Sequence, residues 1–168
     1  MTITRDFAEN MKTSSDLSLR LARPADATAI ADMSRELIEN GLHWRWTAQR
    51  VVASINAENT NVLVARLDNR LAGFGIMKYG DRVAHLNLFA VAPDCRRAGI
   101  GRQLLHWLEQ CAMVAGNVAI SLEVRASNTG AQRFYEGMGY RILVQLPGYY
   151  QGVEPALRMG RRLTTTKI

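Results

Sequence analysis

The chain has 168 residues, 48% of them hydrophobic and 21% charged. That suits one globular domain and excludes global disorder or a fibrous repeat. No apolar run reaches the roughly 18 residues of a membrane span, no secretory h-region opens the chain, and Cys95 and Cys111 are too few for a disulfide framework. A cytoplasmic protein with no membrane partner is therefore expected.

Residues 1–16 are polar and patternless and read as a flexible arm. Leu17 to Arg23 alternates, which predicts a first strand. Pro24 then opens a helix whose stripe is Ala27, Ile30, Met33 and Leu37, and Gly41 closes it. Thr47 is placed to cap a second, shorter helix through about Ala57. Val62 to Leu67 and Leu71 to Tyr79, joined by Asp68-Asn69, read as a hairpin, and Val83 to Ala92 as a further strand. Gly99 to Gly116 reads as a helix with Ile100, Leu104, Leu108, Cys111 and Ala115 on one face. Val118, Ile120, Leu122 and Val124 alternate as a strand. Ala131, Phe134, Tyr135 and Met138 mark a short helix ended by Gly139. Two strands then flank the turn-rich stretch Leu146 to Gly152. The order β-αα-βββ-α-β-α-ββ predicts one α/β (α+β) domain over residues 17–163, with a mixed, mostly antiparallel sheet between helices and a tail at 164–168.

Two segments carry chemistry. The first is Pro93 to Gly101, P-D-C-R-R-A-G-I-G, between a strand and a helix. Gly99 and Gly101 clear side chains from a helix start whose N–H groups and dipole favour an anion, and Arg96, Arg97 and Arg102 add full charges. A pyrophosphate suits this site; solvated arginines on a glycine-rich turn are the plain alternative. Neither the dinucleotide fingerprint nor the P-loop is met. The net charge of +6 is carried mostly by arginine and forms no long block, so by charge alone a phosphorylated ligand fits as well as a nucleic acid; with the motifs taken together, no nucleic-acid partner is expected.

The second segment is Leu122 to Tyr140. Glu123 faces away from the apolar side of its strand, beside Ala119 and Ser121. Asn128 caps the next helix, and Tyr135 follows seven residues later. A carboxylate and a phenol could flank one cleft. The alternative pairs Glu123 with an arginine and buries Tyr135 as core.

Together, these segments resemble the GNAT superfamily of acyl-CoA-dependent N-acyltransferases over roughly Leu17 to Leu163. R-R-A-G-I-G is similar to the family's Q/R-x-x-G-x-G/A loop. L-E-V-R-A-S-N…F-Y-E-G-M-G-Y with the later G-Y-Y looks most like the bacterial ribosomal-protein N-terminal alanine acetyltransferases. The resemblance implies acetyl-CoA as co-substrate. Phe89, Ala90 and Val91 would present backbone groups to its pantetheine arm, in a slot opened by a bulge. An N–H near Val91 would polarise the thioester. Arg96, Arg97, Ala98, Gly99, Ile100, Gly101 and Arg102 would wrap the pyrophosphate, and Asn128 would add a contact. It also implies Glu123 as base and Tyr135 as the group meeting the leaving thiolate, with direct attack by the amine in a ternary complex.

An α-amine with a pKa of about 7.7–8.0 is a nearer match to a glutamate than a lysine at about 10.4, and burial of Glu123 would improve the match. Protonating a thiolate near 8.5 from a phenol near 10 is uphill by roughly 2 kcal/mol, so Tyr135 serves best as a hydrogen-bond donor or with a depressed pKa.

Trp44, Tyr149 and Tyr150 are candidates to line the acceptor side, and Trp44 with Trp46 could equally pack as a lid. His85 is either a rival base or a surface histidine. No histidine is placed to activate Cys95 or Cys111, and His43, His85 and His106 lack metal-ligand spacing, so no metal is expected. Two departures concern the acceptor: Glu154 is followed by Pro155 where the group has E-D, and H-W-R-W replaces an aromatic-proline-tryptophan pattern. The acceptor amine is then a peptide N-terminus or a small amine (polyamine, amino acid or aminoglycoside). A non-catalytic acyl-CoA sensor is the alternative of a different class, and a monomer or homodimer is expected.

Overall fold

The Asp68-Asn69 turn shows how local chemistry builds this sheet. Both residues take positive φ, 50° and 64°, the geometry of the two-residue turn that matches strand twist and that Asp and Asn tolerate. It joins β2 (Thr60–Leu67) to β3 (Arg70–Tyr79) in antiparallel register. In the computed structural model, which describes residues 16–163, seven strands form one sheet. The other five are β1 (Leu17–Leu21), β4 (Val83–Val91), β5 (Ala119–Arg125), β6 (Arg141–Tyr150) and β7 (Glu154–Arg162). Their order is β1-β2-β3-β4-β5-β7-β6, and only β4 and β5 pair in parallel. The expected α+β domain is thus present; of the expected arm only Asp16 is described, and the expected tail lies outside the described residues.

One face of the sheet carries α1 (Ala27–Leu37) and α2 (Ala48–Asn56). Ile30, Ala31 and Val51 are buried there against Phe74, Ile76, Leu88 and Ala90. Thr47 caps α2 as expected, its hydroxyl accepting from the Arg50 amide. The other face carries α3 (Ile100–Val114) and α4 (Thr129–Gly137), with Leu104, Leu105 and Leu108 packed on Met77, Leu86, Ile120 and Leu122. Gly75 lets α3 come this close: a Cβ there would lie 2.7 Å from a Leu108 methyl. Glu109 is buried on that face, accepting from the Tyr140 hydroxyl at 3.0 Å and pairing with Arg161 at 2.8 Å.

Some boundaries differ from the sequence reading. Helix α1 ends at Leu37, four residues before Gly41, and α3 at Val114, which leaves Ala115 exposed while Leu105 and Ala112 join the buried face. Val118 precedes β5 and is exposed. β6 continues through Leu146 to Tyr150, so only Gln151–Val153 turn. Apolar periodicity marks faces well; strand ends depend on pairing partners that periodicity does not contain.

The feature that positions the site is a bulge in β4. Ile76 lies opposite Leu88 and Met77 opposite Leu86, so Asn87 is the extra residue. The alternation flips there. Ala84 and Leu86 pack toward α3, whereas Leu88 and Ala90 pack toward α1. Pairing of β4 with β5 ends at Leu86 opposite Leu122, and Asn87–Val91 part from Glu123–Arg125.

Candidate active site

The parted strands make a slot, and backbone parity decides what lines it. The Ala92 amide donates to the Ala72 carbonyl on β3. By antiparallel alternation Ala90 also points its backbone groups at β3, whereas the N–H and C=O of Phe89 and Val91 point into the gap. Of the three residues expected to meet the pantetheine arm, Ala90 is therefore turned away. The Val91 amide is available as a donor in the slot.

The slot leads toward the start of α3. A short 3-10 turn, Pro93–Cys95, follows β4, and the loop then passes through Arg97 and Gly99 in the left-handed region, φ +64° and +77°. Gly99 holds the cap position without a side-chain cap. The Gln103 amide makes the bond to the Gly99 carbonyl, so the preceding amides through Ile100, Gly101 and Arg102 have no partner within the helix. A Cβ on Gly99 would meet nothing within 4 Å, and one on Gly101 would lie 3.3 Å from the Phe134 ring. The first glycine faces open space; the second keeps the helix start close to α4. Arg96, Arg97, Ala98 and Arg102 are exposed while Ile100 anchors the turn in the core. The Arg96 Nε donates to the Val91 carbonyl at 3.1 Å, laying that guanidinium along the slot. Arg97 and Arg102 make no ion pair among the described residues. Asn128 accepts from the Ala131 amide with its Oδ1, capping α4 and leaving its amide nitrogen to donate elsewhere.

On the α1 side of the slot, Glu123 lies between His85 and Arg158. Its Oε2 is 2.5 Å from His85 Nε2, and its Oε1 accepts from Arg158 Nε at 2.9 Å. His85 Nδ1 lies 2.6 Å from Asn87 Oδ1. Both ring nitrogens thus face oxygen, an arrangement the imidazolium satisfies best. Burial pushes the Glu123 carboxyl up, but the His85 hydrogen bond and the nearby positive charges pull harder, and it sits below the ordinary range. The Glu123 bond raises His85 above its usual value, against the opposing effect of burial. Two expectations change here: burial does not raise Glu123, because its partners outweigh desolvation, and His85 is bound into the site rather than a free surface histidine.

Tyr135 is buried on the other side, edge-on to Phe134 at 5.3 Å and Tyr140 at 5.8 Å and tilted against Phe89 at 6.2 Å. Burial, with a smaller contribution from Tyr150, drives its phenol well above the ordinary tyrosine range. The pKa is not depressed, so the group is a neutral donor.

Two loops meet near Glu123, joined through His43 and Gln151. In the α1–α2 loop, the buried Glu39 accepts the amides of Arg45, at 2.7 Å, and Trp46, at 3.2 Å, and the Ser34 hydroxyl, at 3.1 Å. Arg35 stacks over the exposed Trp44, and Arg50 over Trp46, which is half-buried against the α1–α2 core. From β6, Tyr149 and Tyr150 meet edge-to-face at 4.9 Å, and the Glu123 charge contributes to raising both phenols. Sequence reasoning left out Arg158, Glu39 and Gln151. Strand parity opposite Glu123 could have found Arg158; no local signal marks the other two. Among the described residues no cluster of His, Cys, Asp or Glu could hold a metal ion, and no helix is long and apolar enough to cross a membrane.

Comparison with known proteins bears on this arrangement. Residues 29–140 match the model of the Acetyltransferase (GNAT) family. An uncharacterized N-acetyltransferase of Methanocaldococcus jannaschii is 41% identical over 62% of this chain and 67% of its own length. The [ribosomal protein bS18]-alanine N-acetyltransferase of Salmonella typhimurium is 40% identical over 55% of this chain and 64% of its own. The structure of Ard1 from Thermoplasma volcanium superposes with a TM-score of 0.78 at 24% identity, over 89% of this chain and 99% of that one.

Proposed function

Since the chain belongs to the acetyltransferase (GNAT) family, we propose that it transfers an acetyl group from acetyl-CoA to a primary amine, best a peptide N-terminal amine. The observation that carries this reading is the parting of β4 from β5 beyond Leu86 and Leu122, which leaves the Phe89 and Val91 backbone groups free on the strand that leads from His85, the partner of Glu123, to the arginine-flanked helix start.

Each residue has a role. The amides from Gly99 to Arg102, with Arg96, Arg97 and Arg102, hold the pyrophosphate. Phe89 and Val91 pair with the pantetheine arm as a neighbouring strand would. The Val91 N–H donates to the thioester oxygen as negative charge gathers there. Above the raised His85 pKa, where the imidazole is neutral, the Glu123–His85 pair takes the ammonium proton as one coupled unit; its histidine, raised above about 6.5, is better matched to an α-amine near 7.7–8.0 than any carboxylate is. Tyr135 donates a hydrogen bond to the departing sulfur. The amine attacks directly, with no acyl-enzyme.

The acceptor reading is supported by charge. Around Glu123 stand Arg158 and, when protonated, His85, so the floor is not acidic, and Arg125 is matched by Glu154. A polyamine or aminoglycoside needs carboxylates there. A thiol-release screen with acetyl-CoA against N-terminal peptides, polyamines and aminoglycosides tests this. Turnover is expected with peptides bearing a free α-amine. Turnover confined to polycations would overturn the acceptor assignment, and none with any amine would favour a sensor.

A further inference from the structure

Strand pairing sets a permanent cation beside Glu123 that the proton transfer does not use. Arg158 on β7 lies opposite Glu123 on β5, so both side chains leave the same face of the sheet. Arg158 Nε donates to Glu123 Oε1 at 2.9 Å. Its two Nη groups make no hydrogen bond and no ion pair among the described residues, and the side chain is 42% exposed, so they are open to a ligand. The guanidinium charge is felt at His85, where it opposes protonation, and at Tyr149, whose phenol it draws down. The free end of Arg158 therefore stands over the carboxylate, near the histidine and the tyrosine.

This charge works against an amine that arrives alone. The acceptor docks at the Glu123–His85 pair as an ammonium. There it meets one carboxylate and one permanent cation, with His85 as a second cation when protonated. Arg125, two residues on along the same strand face, is already matched by Glu154, and no carboxylate among the described residues other than Glu123 pairs with Arg158. An ammonium beside that guanidinium is repelled, whereas an acceptor that carries its own carboxylate is drawn in. We propose that Arg158 is a specificity-determining residue that selects peptides whose first residue is aspartate or glutamate, the side-chain carboxylate seating on the Nη groups while the α-amine meets Glu123 and His85. Reach separates this from other sources of negative charge. The α-carboxylate of a free amino acid lies only about 3 Å from its own nitrogen by ordinary bond lengths, which brings it against the like-charged Glu123. A first side chain of one or two methylenes carries its carboxylate roughly 4–5 Å from the amine, past Glu123 to the fork beyond it. The second side chain of an extended peptide leaves on the opposite face.

The inference rests on the acetyltransferase reading. The test measures kcat/KM of the full chain on C-terminally amidated peptides of one sequence that begin with Asp, Glu, Asn or Ala, and on free aspartate. In wild type, the Asp and Glu peptides are expected to exceed the Asn peptide by roughly tenfold, the worth of one charge-assisted hydrogen bond partly screened by solvent. The advantage should shrink as salt is raised. Arg158→Met keeps the stem and loses the charge, so the Asp and Asn peptides should become equivalent. Arg158→Lys keeps the charge without the fork and should retain part of the preference. The ratio is taken within each variant, so a general loss of turnover cancels, and a purely structural role leaves the ratio unmoved. Equal kcat/KM on the Asp and Asn peptides in wild type would overturn the inference. So would a wild-type ratio in Arg158→Met, or free aspartate turned over faster than the peptides. The wild-type comparison and its salt series stand even if Arg158→Met does not fold. If wild type acetylates no amine, the functional reading fails separately. Selectivity is then read by calorimetry of the Asp and Asn peptides on the protein saturated with coenzyme A, where tighter binding of the Asp peptide supports the inference and equal or unmeasurable affinities overturn it regardless of turnover.

Discussion

Replacing Glu123 by Gln is expected to lower kcat roughly 10²- to 10⁴-fold, the range for loss of a positioned acid–base group, with little change in the KM for acetyl-CoA. The carboxylate holds His85 at 2.5 Å and Arg158 at 2.9 Å, so the variant also frees two cationic side chains beside the amine. The pH profile identifies which group has gone. In wild type the rising limb of kcat should lie above the ordinary histidine value of about 6.5, because Glu123 stabilises the imidazolium. In Glu123→Gln that limb should move to lower pH, as His85 loses the bond that raised it. Stability follows with a defined sign. Glu123 is depressed, so its contribution is present above about pH 4.3 and lost as pH falls through the folded value. His85 is raised, so its contribution is complete below about pH 6.5 and lost as pH climbs through the folded value. The difference in urea midpoint between wild type and variant should therefore be largest between these limits. A rising limb that does not move, with kcat near wild type, would remove Glu123 and His85 from the chemistry.

Tyr135→Phe separates catalysis from packing. The ring is packed against Phe89, Phe134 and Tyr140, and all of that ring packing survives in phenylalanine. No side chain among the described residues hydrogen-bonds its hydroxyl, so its removal should change unfolding free energy by less than about 1 kcal/mol. Turnover should nonetheless fall on the order of 10²-fold, as for loss of one donor to developing charge. Because burial raises the phenol, full proton transfer to a thiolate is even further uphill than for an ordinary tyrosine. The step therefore needs a hydrogen bond and not a transferred proton. It follows that wild-type kcat should show no falling limb assignable to Tyr135 near pH 10. Unchanged kcat in Tyr135→Phe would make this tyrosine a core residue only.

What was legible in the chain depends on the range of the interaction. The Asp68-Asn69 hairpin, the Thr47 cap and the glycine turn before α3 are set within a few residues, and each stands where the pattern placed it. The face of Glu123 also followed from strand parity. Its partners did not. His85 reaches it only because β4 and β5 pair in parallel up to Leu86, and Arg158 because β7 enters between β5 and β6. The bulge at Asn87, which turns Phe89 and Val91 toward the α3 face, leaves no mark in the alternation His85, Asn87, Phe89, Val91; the residues that look like one face occupy two. The expected rise of the Glu123 pKa failed for the same reason, since desolvation is visible in a buried strand but the charges that outweigh it come from 38 and 35 residues away.

The most direct measurement is calorimetry of the full chain with coenzyme A, for wild type and for Gly99→Val with Gly101→Val. Valine at Gly99 fills the open space above the helix start at an unfavourable φ, and at Gly101 it crowds Phe134 at 3.3 Å. Binding heat is expected in wild type. The double variant forfeits about two charge-assisted hydrogen bonds to the pyrophosphate, so its affinity should fall by at least roughly 10²-fold. A folded wild-type protein that gives no heat, or a double variant that binds as tightly as wild type, would contradict the placement of the carrier at this turn.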